Sequence, residues 1–212
     1  MRNKFFSLSL ILITGLILLN SCQKEINGSS NSTGTGGGGL TGMKPKLGTI
    51  WTYRYYTYYP ILGGGVRTSG ILKLKAKTEE IFLGEKWLNV VDVDADTTFY
   101  YLQEKADGLY QYANSNAYLL CKFPAVVNDA YTTFNNGSAE DFIVKSVQDT
   151  LATGVGNIPV NFYEGTKLSY LIDQFWYNTN AWIVKKQFYL KAPPPSPLYY
   201  KYSAMFIESI VY

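Results

Sequence analysis

Leu72, Leu74 and Ala76 alternate with Lys73, Lys75 and Lys77. That period of two puts one side of an extended strand on a core and the other in water. Trp87, Asn89, Val91 and Val93 interleave with Leu88, Val90, Asp92 and Asp94 in the same rhythm. Thr49 to Tyr59, Phe142 to Val147 and Met205 to Tyr212 are dense in aromatic and β-branched residues, which suit a pleated, half-buried surface. Turn signals separate these runs: Gly63-Gly64-Gly65, Leu83-Gly84-Glu85, Ala106-Asp107-Gly108, Asn135-Asn136-Gly137 and Pro193-Pro194-Pro195. Asn136-Gly137 is the kind of pair that closes a tight hairpin. About ten short strands at this spacing predict an all-β domain. Its strands are mostly antiparallel, in a strongly curved sheet, sandwich or barrel. No segment holds an apolar stripe at a spacing of 3.6 over three turns, so little helix is expected.

The first residues break this rhythm. Arg2 and Lys4 precede an almost unbroken apolar run from Phe5 to Leu19. A membrane-spanning helix needs about 20 apolar residues, and this run is shorter. Its length and its positive start suit a signal peptide. The run ends in Leu19-Asn20-Ser21-Cys22, which resembles the lipobox of bacterial lipoproteins, with an aliphatic residue at −3, a small one at −1 and cysteine at +1. The resemblance implies cleavage before Cys22, a diacylglycerol on its sulfur and a fatty acyl chain such as palmitate on its new amino group. Each buried CH₂ adds ~0.8 kcal/mol, so several chains hold a protein where one would not. Gln23-Lys24-Glu25 is similar to the short charged export tag of surface-exposed Gram-negative lipoproteins. From Asn27 to Gly42 the chain is almost wholly Gly, Ser, Thr and Asn, a composition that buries too little apolar surface to order itself. As a flexible tether of about 20 residues it reaches ~25 Å. The expected organisation is a leader over 1–21, the lipidated Cys22 and tether over 22–43, and one all-β domain over 44–212.

A second resemblance lies within the domain. Pro45-x-x-Gly48-x-x-Trp51-x-Tyr53 looks like the opening of many uncharacterised all-β Gram-negative lipoproteins. Phe123-Pro124 through Asp129 and Tyr131, and Phe175-Trp176-Tyr177 through Trp182-Ile183-Val184-Lys185, are similar to their later segments. The likeness implies a fold and a location, and no activity.

Charge and chemistry narrow the function classes. Lys and Arg number 19 against 16 Asp and Glu, and two of the cations fall in the leader. No basic stripe exists, so nucleic acid is not an expected partner. The chain has no histidine, which excludes Ser-His-Asp and Cys-His catalysis and a His-ligated zinc. If Cys22 carries lipid, Cys121 stands alone in the apolar run Tyr118 to Phe123, where a cysteine serves as a small hydrophobe. Asp92-Val93-Asp94-Ala95-Asp96 is the densest acid cluster. It shares the D-x-D-x-D start of a calcium loop but has Thr97 where that loop needs Gly and Gln103 where it needs Glu. The plainer expectation is a strand running into a turn.

Aromatic content is the other outlier, with 19 Tyr, 11 Phe and 4 Trp. Tyr53, Tyr55, Tyr56, Tyr58 and Tyr59, and Trp176, Tyr177 and Trp182, are the candidates for a stacking surface. Most are expected inside, with Trp51 as a core anchor. No catalytic, cofactor-binding or metal-ligating residue is assigned. The expectation is a non-catalytic binding or structural module at the outer membrane, on its surface or periplasmic face. The membrane is met through lipid on Cys22, and the ligand is a glycan, lipid or protein. The alternative is a carboxylate-dependent hydrolase of extracellular glycans using acids such as Asp92 or Asp94.

Overall fold

A computed structural model describes residues 40, 42–59, 65–135, 137–168, 170–191 and 199–212. The chain divides into Met1–Gly36 and Gly37–Tyr212, and every described residue belongs to the second unit. The leader over 1–21, Cys22 and most of the tether lie outside the described residues, as do Gly63-Gly64 and the Pro193–Pro195 turn.

Twelve strands carry the fold, and the described residues contain no helix. The first six are β1 (Ile50–Tyr58), β2 (Val66–Phe82), β3 (Glu85–Asp92), β4 (Thr97–Lys105), β5 (Gly108–Ala113) and β6 (Asn116–Lys122). The second six are β7 (Ala130–Asn135), β8 (Ser138–Thr153), β9 (Gly156–Lys167), β10 (Tyr170–Asn178), β11 (Trp182–Lys191) and β12 (Tyr199–Val211). Two exceed the expected number because tight turns hide in polar sequence. At Asn114-Ser115 both residues take positive φ, 46° and 61°, so β5 and β6 reverse over two residues without a glycine.

Every pairing is antiparallel, in the order β6-β5-β4-β3-β2-β1-β12-β11-β10-β9-β8-β7. Read around the sheet, each strand neighbours the next in sequence, and the first strand pairs with the last. The product is an up-and-down, nearly closed barrel. Closure removes the exposed edges of a flat sheet. The remaining seam, between β6 and β7, is joined by side chains. Tyr118 stacks on Phe134 at 5.1 Å, and the Tyr131 hydroxyl donates to the Leu120 carbonyl at 2.9 Å.

The meander puts all even-to-odd connections at one end of the barrel, together with the entry into β1, and all odd-to-even connections at the other. The entry end is sealed. Trp51 and Tyr53 of β1 face inward, 2% and 3% exposed, and donate to the Ala181 and Ile183 carbonyls at 3.0 and 2.7 Å. Trp51 stacks on Trp182, with ring centroids 5.7 Å apart. Leu74, Val90, Leu102, Phe142, Tyr163, Phe175 and Tyr177 fill the same half. The space left among Trp51, Tyr53 and their neighbours is about 10 Å³, at or below what one water needs. Pro45 and Thr49 are buried at the mouth of β1, and Gly48 and Ala76 bond backbone to backbone across it.

Candidate functional site: an open cavity over a buried charge cluster

On the inner face of β1, Tyr55 and Thr57 continue the row begun by Trp51 and Tyr53, because alternate residues share a face. Their partners across the ladder are Met205 and Ser203 of β12 and Gly70 and Thr68 of β2. At this level the barrel is not filled. An open cavity of about 800 Å³ is lined by residues of β1, β2, β3, β4, β11 and β12 and by the β3–β4 turn. Its inward rings are Tyr55, Phe99, Tyr100, Phe188 and Tyr202, and Ile71, Leu72 and Met205 add aliphatic surface; Tyr56 borders the opening with its ring on the outer face, against Phe206. Tyr55, Ile71, Phe99 and Tyr202 are 36% to 43% exposed. That is a continuous apolar lining of the kind that marks binding sites.

Two acids and one cation line this cavity: Asp92, Asp94 and Lys186. Asp92 accepts the backbone N–H of Asp94 and Ala95 at 2.9 and 3.2 Å, so its carboxylate shapes the β3–β4 turn. Asp96 pairs with Lys77 at 2.5 Å on the outside. The acid run is therefore a strand end and turn, and it contributes Asp92 and Asp94 to the cavity wall.

Lys186 stands at the cavity floor. It lies opposite Phe175 in the β10–β11 ladder, so it points inward with Phe175. Its side chain keeps 14% of its surface exposed, and its Nζ lies 3.7 Å from Oδ1 of Asp173, which is fully buried. The Asn135 amide donates to the other Asp173 oxygen at 2.9 Å. Glu140, opposite Thr133 on β7, is 1% exposed beside this pair. Burial first, and then the neighbouring Asp173, push the Glu140 carboxyl up to about 8. It therefore holds its proton at neutral pH. Burial opposes the charge on Lys186, but Tyr100 and Asp173 beside it outweigh that and carry it to about 12. Two carboxyl groups sharing a proton leave one negative charge against one ammonium. The cluster is close to neutral, the condition under which charges survive in an interior.

None of Glu140, Asp173 or Lys186 was singled out in the sequence. A signal was present: Glu140 shares its phase with Phe142 and Val144, and Asp173 with Phe175 and Tyr177. A charge on the apolar phase of a strand is a charge inside the barrel.

The aromatic candidates divide by face. Tyr53, Tyr177 and Trp182 are in the core, Tyr55 lines the cavity, and Tyr56 packs on Phe206 at the outer face. Trp176 is on the outer surface, stacked on Phe162 at 4.6 Å with the Lys185 ammonium 4.1 Å from its ring. Cys121 is fully buried, and burial raises its thiol far from reactivity. Among the described residues no group of three or more acids or cysteines is placed to hold a metal. No protein-family model, curated protein or solved structure gives a significant match to this chain.

Proposed function

We propose that this protein is a non-catalytic binding module, held at the outer membrane by lipid on Cys22, whose ligand occupies the cavity. The observation that carries the reading is the contrast of filling within one barrel. Some 800 Å³ is left open at one end, walled by five aromatic rings, while the other end is packed to near completion. A stable barrel has no need of that void, because interiors pack to crystal density where nothing else intervenes. The mixture of flat rings, aliphatic surface and a few polar groups suits an amphipathic small molecule, a glycan or a lipid, better than the flat epitope of a protein. The cluster under the floor fixes the orientation of Lys186, which offers one donor to a ligand's polar group.

The test is retention of a ligand by the full chain. Wild-type protein and Ser203→Trp, which puts an indole into the cavity, are purified from membranes, and the small molecules released on denaturation are compared by mass spectrometry. Both are then screened against glycans and lipids by isothermal titration. A species bound by the wild type and lost from Ser203→Trp supports the reading. Identical, empty profiles in both assays would sink it. The hydrolase alternative rests on Asp92 and Asp94 at the cavity wall. It requires that the wild type cleave a glycan of the screen and that Asp94→Asn abolish the cleavage.

A further inference from the structure

Large apolar side chains that remain exposed gather at the two ends of the barrel. At the cavity end Tyr55, Ile71, Phe99 and Tyr202 line the site described above, and Tyr59, Val66, Val93 and Leu168 stand outside it. At the sealed end they are aliphatic: Met43 (44%) and Leu47 (51%) before β1, Ile81 (72%) and Leu83 (65%) at the β2–β3 turn, and Val126 (69%) and Val127 (44%) between β6 and β7. Three separate connections thus present aliphatic tips at one end, and none of these six residues seals the core. Exposed aliphatic residues concentrated in this way mark a surface that meets something apolar.

Four ion pairs take up most of the charge at this end. Lys44 meets Glu104 at 2.5 Å, Lys86 meets Glu79 at 3.0 Å, Lys105 meets Glu85 at 2.6 Å and Lys122 meets Asp129 at 2.9 Å. The end carries little net charge, so neither an acidic nor a basic partner is favoured. This is also the end where the chain enters the barrel, with Leu40 packed on the core. Upstream of Leu40 stand the Gly- and Ser-rich stretch and Cys22. Only 17 residues of sequence separate Cys22 from Leu40, so lipid on Cys22 would bring a bilayer to this end of the barrel sooner than to the other.

We propose that the sealed end docks on the lipid bilayer, with Ile81, Leu83, Val126 and Val127 entering the interfacial layer, so that the cavity opens away from the membrane. The proposal rests on the reading that Cys22 carries the anchor. Docking is apolar rather than electrostatic, so salt and anionic lipid leave it unchanged.

The experiment uses the full chain, in which lipidated Cys22 and buried Cys121 are both silent to thiol reagents; where Cys22 proves unacylated, the variants are remade with Cys22→Ser so that only the introduced thiol takes label. Ile81→Cys and Val126→Cys at the sealed end, and Val93→Cys and Leu168→Cys at the opposite end, are labelled with bimane and reconstituted into phosphatidylcholine vesicles containing nitroxide lipid. Quenching several-fold stronger at 81 and 126 than at 93 and 168, unchanged in high salt, is the expected result. Equal quenching at all four positions in acylated protein overturns docking. A label at 81 or 126 that shifts to the blue without quenching also overturns it, because the surface then meets protein. Mass spectrometry of the Cys22 peptide separates the two readings. Unacylated protein that still shows the end preference would sink the anchor and leave docking standing, and unacylated protein without the preference sinks both.

Discussion

Trp51 and Tyr55 project from the same face of β1 into the same barrel, yet Trp51 is 2% exposed and Tyr55 is 36% exposed. The difference lies in what stands across the ladder. Trp51 has Trp182 to stack on and the Ala181 carbonyl to receive its N–H, so its size and its polar atom are both used inside. Tyr55 faces Gly70 across β2, and nothing fills the space above it. The lesson is that one aromatic-rich strand serves two purposes, and the partners of each ring decide which. Below Lys186 the rings hold the fold together, and above it they form a wall that stability does not require.

The largest test of this contrast is at Trp51. Trp51→Ala removes a stacked, hydrogen-bonded ring from a site with no room to collapse and should cost ~3–5 kcal/mol by chemical denaturation. Tyr202→Ala, at the cavity and 39% exposed, should cost about 1 kcal/mol or less. Equal losses would erase the distinction between the two ends.

The charged floor gives a pH test. In an unfolded chain a glutamate titrates near 4.5, and in the fold Glu140 keeps its proton up to about 8. The folded state therefore binds this proton more tightly. The stability it confers is complete below 4.5 and is lost as pH rises toward 8, at no more than about 1.4 kcal/mol per pH unit. Denaturation at pH 6, 7 and 8 should show that decline in the wild type and a flatter profile in Glu140→Gln, which has no proton to lose. A wild-type profile as flat as that of the variant would contradict the shared-proton description of the Glu140–Asp173 pair.

Two glycines sharpen the comparison with smaller effects. A Cβ on Gly165 would lie 2.4 Å from the ring of Phe142, which is 1% exposed and hemmed in. Gly165→Ala should cost ~1–3 kcal/mol, as overpacking does. A Cβ on Gly70 would lie 2.7 Å from the Tyr55 ring, which can swing into the cavity. Gly70→Ala should change stability by about 0.5 kcal/mol or less, read from the same melts.

Strand alternation made the barrel wall legible. Leu74 and Ala76 point in, 3% and 0% exposed, while Lys73, Lys75 and Lys77 point out. Trp51 was legible as a core residue for the same reason. Other features were hidden by irregular register. The ladder shifts between Ala76 and Thr78, so Trp87 pairs with Glu80 and shares the outer face with Phe82, Tyr101 and Tyr112. It is nevertheless fully buried, because Phe82 and Tyr112 cover it and Lys105 lies over its ring. Composition marked it as apolar but could not assign it to a face. The cavity was illegible for a different reason. It is made by what six strands leave unfilled, and no single strand encodes that. The floor could have been read from the phase of Glu140 and Asp173, but the density of acids at Asp92 to Asp96 was the louder signal.

The central claim is that the cavity end has room and the sealed end has none. It is tested most directly by adding the same large ring to each. Ser203 faces the cavity opposite Thr57 and Phe188, and Ala76 faces the packed half with no exposed surface. Chemical denaturation of Ser203→Trp should show a midpoint within about 1 kcal/mol of wild type, because the indole enters space that is already open. Ala76→Trp should be unfolded or destabilised by several-fold more. If Ser203→Trp loses as much stability as Ala76→Trp, the cavity is closed in the working protein and the account of it as a binding site is wrong.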